Sequence, residues 1–408
     1  MPAAELRARL GVSPATLMRA VRHAETDVVR IGRARATRYG LRQAWPLAAA
    51  TRFPLIRVGE DGTARAAGEL VTLAGRQSVV LPDGIVADGL PRGIADARPA
   101  GFLGRHFASV HADLHLPERL SDWSEHHSLL AMARRGHDLA GNLIVGDESF
   151  ARWQRLEIAA HGVGDYPALA DATMAGHPPE SWAGGERPKF GTFDGARHVL
   201  VKFAARGQAG GTVARRWHDL LLLEALALEI VAAHGIAAAR TRAIDGGSHV
   251  FLESERFDRA GARGRVAVVS LAAVHDDPAD AWARAATVLR GGGRISAEDA
   301  RALRWLDAFG ALIANTDRHQ RNVLFFDGEA GLRLAPAFGQ VPVLYAPTID
   351  GQLPVRAFAV PPATADTLDV WEDARAAAVT FWQRAAADSR ISDKMRMLAV
   401  ANAVMLAR

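Results

Sequence analysis

The stretch Leu312–Phe326, LIANTDRHQRNVLFF, sets Asp317, Arg318, His319, Arg321 and Asn322 between two apolar runs. A carboxylate in such a turn can accept a proton from a hydroxyl, and an asparagine oxygen can hold a divalent cation. Two more groups of suitable type lie upstream. Lys202 sits inside the apolar run HVLVKFAA, where an ammonium is costly unless paired, and Glu224 interrupts the helical run LLLLEALAL. A buried lysine and glutamate on adjacent elements satisfy each other. The stretch SWAGGERPKF supplies Gly184 and Gly185, which let backbone N–H groups approach phosphate, and then Lys189. Each signal also has a plainer reading: a solvated loop in which Asp317 caps a turn, a strand lysine snorkelling to water, and a surface glycine turn.

The interval from Asp317 to Asn322 is the one in the protein-kinase catalytic loop H-R-D-x-x-x-x-N, where the aspartate orients the hydroxyl and the asparagine binds Mg²⁺. The order strand lysine, helix glutamate, strand, polar loop is the order such a site uses. Other chemistries find less support. The 15 histidines are scattered without a zinc spacing, and no GxSxG elbow occurs. The glycines lack a following G-K-[ST], so they are not a Walker A loop. With no cysteine, disulfides and thiolate metal sites are excluded.

These residues need elements to carry them. A chain of 408 residues suggests two or three domains, and 49% hydrophobic with 23% charged residues is the composition of a soluble globular protein. The most apolar stretch carries Glu224 and Glu229, so it reads as a core helix and not a membrane span. The N-terminus has no apolar signal core, and a cytoplasmic protein is expected. Four parts follow: a basic helical module over 1–45, a β-rich part with helical insertions over 46–165, a strand-rich part with one long helix over 166–262, and an α-rich part over 263–408.

Residues 1–45 hold nine arginines against Glu5, Glu25 and Asp27, a concentration that suggests a polyanion partner. A short helix ends at Gly11, and Ser13 with Pro14 starts a second one carrying Arg19 and Arg22. A hairpin then presents Arg30, Arg33, Arg35 and Arg38. Helix, tight turn, helix, basic hairpin resembles a winged helix-turn-helix that binds DNA, with no helix ahead of the first. The plainer reading is a small basic cap with solvated arginines.

Taken in order, SWAGGERPKF, VLVKF, LLLEALALEIVAAHGI, ESERFDR, LIANTDRHQRNVLFF and LAPAFGQVPVLYAP resemble the HipA family of bacterial serine/threonine kinase toxins over roughly residues 46–408. The basic N-terminus resembles the subgroup whose kinase carries its own DNA-binding module. The resemblance implies an α+β, bilobal, protein-kinase-like fold using ATP and Mg²⁺. It implies Asp317 as catalytic base, Asn322 as metal ligand and His319 beside the phosphates. Lys202 would hold the phosphates and Glu224 would fix it. Glu255, Arg256 and Phe257 would form the adenine hinge, with Asp258 near the ribose, and Gly184 to Lys189 the phosphate loop. Ser181 matches the family's autophosphorylated serine, where added charge could withdraw the loop.

One position departs from the pattern. Where the family carries a metal-binding aspartate after the aromatic residue, this chain has Gly339. Loss of that ligand costs several kcal/mol of transition-state stabilisation; nothing in the spacing makes Asp327 or Asp350 a substitute. The expected function is a toxin that arrests growth by phosphorylating a protein such as an aminoacyl-tRNA synthetase, with DNA bound through 1–45 and an antitoxin as a further partner. The alternative is a pseudokinase acting as a DNA-binding regulator.

Overall fold

The computed structural model describes residues 1–48, 50–176, 187–206, 211–348 and 350–408. These divide into two compact units, one holding Met1–Glu157 and the other running from Ile158 to Arg408. Ser181, Gly184 and Gly185 lie outside the described residues.

The first unit opens with α1 (Ala3–Leu10), closed by Gly11 at φ 64°, a left-handed bend that suits glycine. Ser13 then caps α2 (Pro14–His23) by accepting from Thr16 N at 3.2 Å. An antiparallel hairpin follows, β1 (Val28–Ile31) and β2 (Arg38–Leu41). Its inward residues Val29 and Ile31 join one apolar cluster with Val71, Leu73 and Val79. The basic module therefore has little core of its own and is tied to the sheet that follows it. That sheet contains β3 (Arg52–Val58), β4 (Ala64–Leu73), β5 (Gln77–Leu81) and β6 (Ile85–Asp88) as an antiparallel meander. Helices α3 (Arg92–Asp96), α4 (Gly101–Val110) and α5 (Glu125–Arg135) precede β7 (Leu143–Val145), which returns to pair with β3. Phe102 and Phe107 of α4 and Leu129 and Met132 of α5 bury against Phe53, Leu55 and Leu70 of the sheet. Helix α6 (Asp147–Arg155) closes the unit.

The second unit starts with α7 (Tyr166–Met174). A four-stranded antiparallel sheet is built from β8 (Lys189–Phe193), β9 (His198–Ala205), β10 (Thr241–Asp245) and β11 (His249–Glu255), in the order β10-β11-β9-β8. One face buries Phe190, Val199, Val201 and Phe251 against Tyr166, whose hydroxyl donates to Glu253 Oε2 at 2.7 Å. Helix α8 (Gly211–Ala233) packs on the other face through Leu221, beside Ala204 and Leu252. Its opposite side, with Leu220, Leu223, Leu226 and Val231, enters the largest apolar cluster. A helix shared by two cores must be apolar all round, which explains its run of leucines.

Short strands β12 (Arg259–Ala260) and β13 (Gly264–Arg265) lead to β14 (Val268–Ser270) and the one-turn α9 (Leu271–Val274). Helices α10 (Trp282–Gly291) and α11 (Ala297–Leu312) follow. Then β15 (Leu324–Gly328) and β16 (Gly331–Leu334) complete a three-stranded sheet with β14. Helices α12 (Trp371–Ala387) and α13 (Asp393–Ala407) end the chain, with Trp305, Phe309, Phe381 and Trp382 at the centre of this core. Among the described residues no helix is long and apolar enough to cross a membrane.

Candidate active site

The polar loop between α11 and β15 is held from beneath. After α11 the backbone turns at Ala314, φ 61°, and buries Asn315, which is 1% exposed. Asn315 Oδ1 accepts from Asp317 N at 3.0 Å. Arg318 folds back, donating from Nε to Asp307 Oδ1 at 3.0 Å and from Nη1 to the Asn315 carbonyl. Asp307 itself accepts from Ala283 N at 3.1 Å. Gln320, also buried, donates to the carbonyls of Asp277 at 2.6 Å and Asp280 at 3.1 Å, and Trp282 Nε1 donates to the His319 carbonyl at 3.1 Å. Alternate residues of the loop are thus spent on anchorage. Asp317 and His319 are left exposed, with Asn322 half-buried beside them. Asn322 Nδ2 donates to the Asp317 carbonyl at 2.7 Å and lies 3.4 Å from its carboxylate. His319 Nε2 stands 3.7 Å from Asp317 Oδ1. The five-residue interval brings both side chains to one place.

Lys202 occupies the middle of β9, opposite Leu252 on one neighbour and Lys189 on the other. Its ammonium reaches across to α8 and donates to Glu224 Oε1 at 2.5 Å, with side-chain exposures of 14% and 1%. The low exposure matters: a carboxylate this deep is tolerable only with such partners. The same oxygen accepts from Gly339 N at 3.2 Å. Gly339 is left-handed, φ 65°, and its carbonyl accepts from Asn315 Nδ2 at 3.4 Å. A continuous run of hydrogen bonds therefore joins Lys202, Glu224, Gly339, Asn315 and Asp317. A side chain built at Gly339 would meet open space.

Lys189, expected to end a loop, instead opens β8. Its register opposite Lys202 buries it to 2% exposure on the face of the sheet that Lys202 uses. Glu255 ends β11 and accepts from Arg197 Nη1 at 3.1 Å. Arg256 and Asp258 are buried and doubly bonded to each other at 3.0 and 2.9 Å, and Arg259 adds a bond to Asp258 at 2.7 Å. Phe257 stands between Phe326 of β15 and Phe338, with ring centroids 5.9 and 6.0 Å away. This joins the end of the four-stranded sheet to the segment just before Gly339. In the first unit Arg19, Arg22, Arg30, Arg33 and Arg38 are all exposed. Arg35 belongs to a 3-10 turn of the hairpin, Ala34–Ala36.

Two further residues belong here that the motifs did not single out. Asn315 is the hinge of the hydrogen-bonded run, and only its place two before Asp317 could have marked it. Arg187 lies with its guanidinium 4.5 Å over the Trp217 ring. Burial pushes its pKa down, while the Glu224 and Asp317 carboxylates both favour its charge. It is thus a second cation in electrostatic reach of the pair. Among the described residues, no group of three His, Asp or Glu side chains gathers to hold a metal.

Comparison with known proteins gives the family and the fold. Residues 49–154 match the family described as YjjJ-like toxin, middle domain, and residues 181–404 match the HipA-like C-terminal domain. The chain is 35% identical to Toxin YjjJ of Escherichia coli strain K12 over 416 aligned positions, covering 97% of this chain and 93% of that protein. Among solved structures, the HipA of Shewanella oneidensis MR-1, in a complex with HipB and its operator DNA, superposes with a TM-score of 0.56. The identity there is 14%, over 86% of this chain and 95% of that one, which speaks for the fold. The α+β fold is that of HipA, and with a match of this kind along nearly its whole length the chain belongs to the HipA family of toxins.

Proposed function

We propose that this protein is an ATP-dependent serine/threonine protein kinase of the HipA toxin type. In this reading it works in the cytoplasm and restrains growth by phosphorylating a protein such as an aminoacyl-tRNA synthetase. The observation that carries the reading is the hydrogen-bonded run from Lys202 through Glu224, Gly339 and Asn315 to Asp317. It ties a sheet ammonium and a loop carboxylate into one framework, which positioning of a nucleotide against a hydroxyl requires.

In this reading the Lys202 ammonium binds the nucleotide phosphates and Glu224 fixes its direction. Asp317 takes the proton of the serine hydroxyl as the oxygen bonds to the γ-phosphorus. The bond from that phosphorus to the β,γ-bridging oxygen breaks, and ADP leaves. His319 adds a donor beside the phosphates. Residues 255–258 flank the adenine, with Phe257 bracing the segment before Gly339. A magnesium ion, when bound, neutralises charge on the phosphates. Asn322, which donates to Asp317 through Nδ2, keeps its carbonyl oxygen for such an ion, together with a carboxylate oxygen of Asp317. Two side-chain oxygens suit a cation that takes its other ligands from water and phosphate.

Residues 1–45 are proposed as a winged helix-turn-helix that binds DNA through Arg19, Arg22, Arg30, Arg33, Arg35 and Arg38. The helix-turn-helix and hairpin support this, as does the operator DNA bound by the Shewanella relative's complex. HipB in that complex supports an antitoxin partner.

The test is incubation of the full chain with Mg²⁺ and γ-labelled ATP. Label is expected on the protein itself, at Ser181. ATP binding without any transfer would favour the second reading, a DNA-binding pseudokinase, which the missing carboxylate at Gly339 supports.

A further inference from the structure

In the second unit, the start of β8, the end of β9 and the first half of α8 enclose a cavity of about 240 Å³. Its walls are apolar, chiefly Ala204, Val213, Trp217 and Leu221, and its two polar members are Arg187 and His249. The Arg187 guanidinium lies over the Trp217 ring, 4.5 Å from its centroid. Its Nη1 is nevertheless buried with no hydrogen-bond partner among the described residues. The desolvation of that nitrogen is then uncompensated. His249 Nδ1 is already engaged with Ser248 Oγ at 3.0 Å. No acidic residue is among the described residues that line the cavity, and the Glu224 and Asp317 carboxylates favour the Arg187 charge from beyond that lining.

We propose that this cavity is a binding site for a small organic anion with an apolar body, an aryl- or branched alkyl-carboxylate, with Arg187 as its anchor. The carboxylate would accept from the free Nη1, and the body would fill the space between Ala204, Trp217 and Leu221. A charge-assisted hydrogen bond at one end and apolar walls elsewhere is the usual composition of a ligand pocket. The volume lies just below the usual range of about 300–1,000 Å³ for drug-sized sites and so suits one ring with a short chain. The location gives such a ligand leverage. Leu221 and Trp217 stand three and seven residues before Glu224 on α8, and Ala204 stands two residues after Lys202 on β9. Occupancy would brace the helix and strand that hold the Lys202–Glu224 pair, and would draw Arg187 from the carboxylates that share its charge. This regulatory consequence rests on the kinase reading; the binding site does not.

The test uses the full chain without nucleotide. Binding of 3-phenylpropionate and of neutral 3-phenylpropionamide is measured by calorimetry and saturation-transfer NMR. The acid is expected to saturate a single site about ten-fold more tightly than the amide. Arg187→Met should erase that difference, and Ala214→Phe, which puts a ring in the cavity, should abolish both. Each variant is checked for an unchanged melting temperature. If Ala214→Phe fails to fold, Arg187→Met decides the matter alone. No saturable binding, equal binding of acid and amide, or an acid preference that survives in Arg187→Met would each overturn the proposal. Because no ATP is present, failure here leaves the kinase reading intact, and a failed phosphorylation assay leaves this site intact.

Discussion

Gly339→Asp restores the carboxylate that the family pattern carries, and the structure allows its effect to be worked out. The position has φ 65°, where glycine is free and aspartate is one of the few tolerated alternatives. The backbone cost for aspartate is about 1 kcal/mol. Nothing stands within 4 Å of a Cβ at this position, so no packing cost is added. The backbone N–H that donates to Glu224 Oε1 is retained, and Lys202 remains as the neighbouring cation. A drop in melting temperature of about 2–4 °C is expected. Against this, a second carboxylate for Mg²⁺ contributes about 3 kcal/mol to the transition state, roughly a hundred-fold in rate. The assay is the initial rate of autophosphorylation with labelled ATP across a Mg²⁺ titration. Gly339→Asn is the control, since it carries a similar backbone cost and no charge. A Gly339→Asp protein that is folded but no faster than wild type would refute the reasoning. So would an equal gain in Gly339→Asn.

Further consequences concern stability and DNA. Lys202→Met leaves the buried Glu224 carboxylate with the Gly339 N–H and the nearby Arg187 charge, and should cost about 3 kcal/mol in chemical denaturation. Adding Glu224→Met should recover most of that, and if it does not, the pair is not the source of the loss. Burial, followed by Arg215, holds the His218 pKa below the ordinary imidazole value. The unfolded chain therefore binds the proton first as pH falls below about 6.5, and stability should decline as the pH is lowered further. His218→Gln should flatten that decline in melting curves, and an unaltered slope would count against it. For the N-terminal module, Arg30, Arg33 and Arg38 changed together to Ala should lower the salt slope of DNA binding by about 0.9 for each phosphate they no longer neutralise. An unchanged slope would remove the hairpin from the interface. Substitution is a cleaner perturbation than deletion of 1–45, because deletion would strip Val29 and Ile31 from Val71, Leu73 and Val79.

What could be read from the sequence was what local chemistry decides. Gly11, Ser13 and Pro14 mark the turn between α1 and α2 because their backbone preferences act alone. Lys202 and Glu224 were legible because an ionised group in an apolar run has few stable fates. The sheet order β10-β11-β9-β8 was not legible, since pairing depends on residues far apart in the chain. Hence the placement of Lys189 opposite Lys202 was missed, as a register is set between strands and not within one. Asn315 looks like any polar turn residue until Gly339 and Asp317 are brought to either side of it. Arg187 falls inside the Gly184–Lys189 stretch, but only the fold lays it on Trp217. The dependence of the β1–β2 hairpin on Leu73 and Val79 likewise appears only once the meander is assembled.

In the proposed function Lys202 and Asp317 act on one nucleotide, the first by binding it and the second by activating the hydroxyl. The most direct measurement is single-turnover phosphoryl transfer by Asp317→Asn beside its equilibrium affinity for ATP. Affinity is expected within about three-fold of wild type, and transfer reduced by about 10²–10⁴. Transfer at the wild-type rate in Asp317→Asn would contradict that reading.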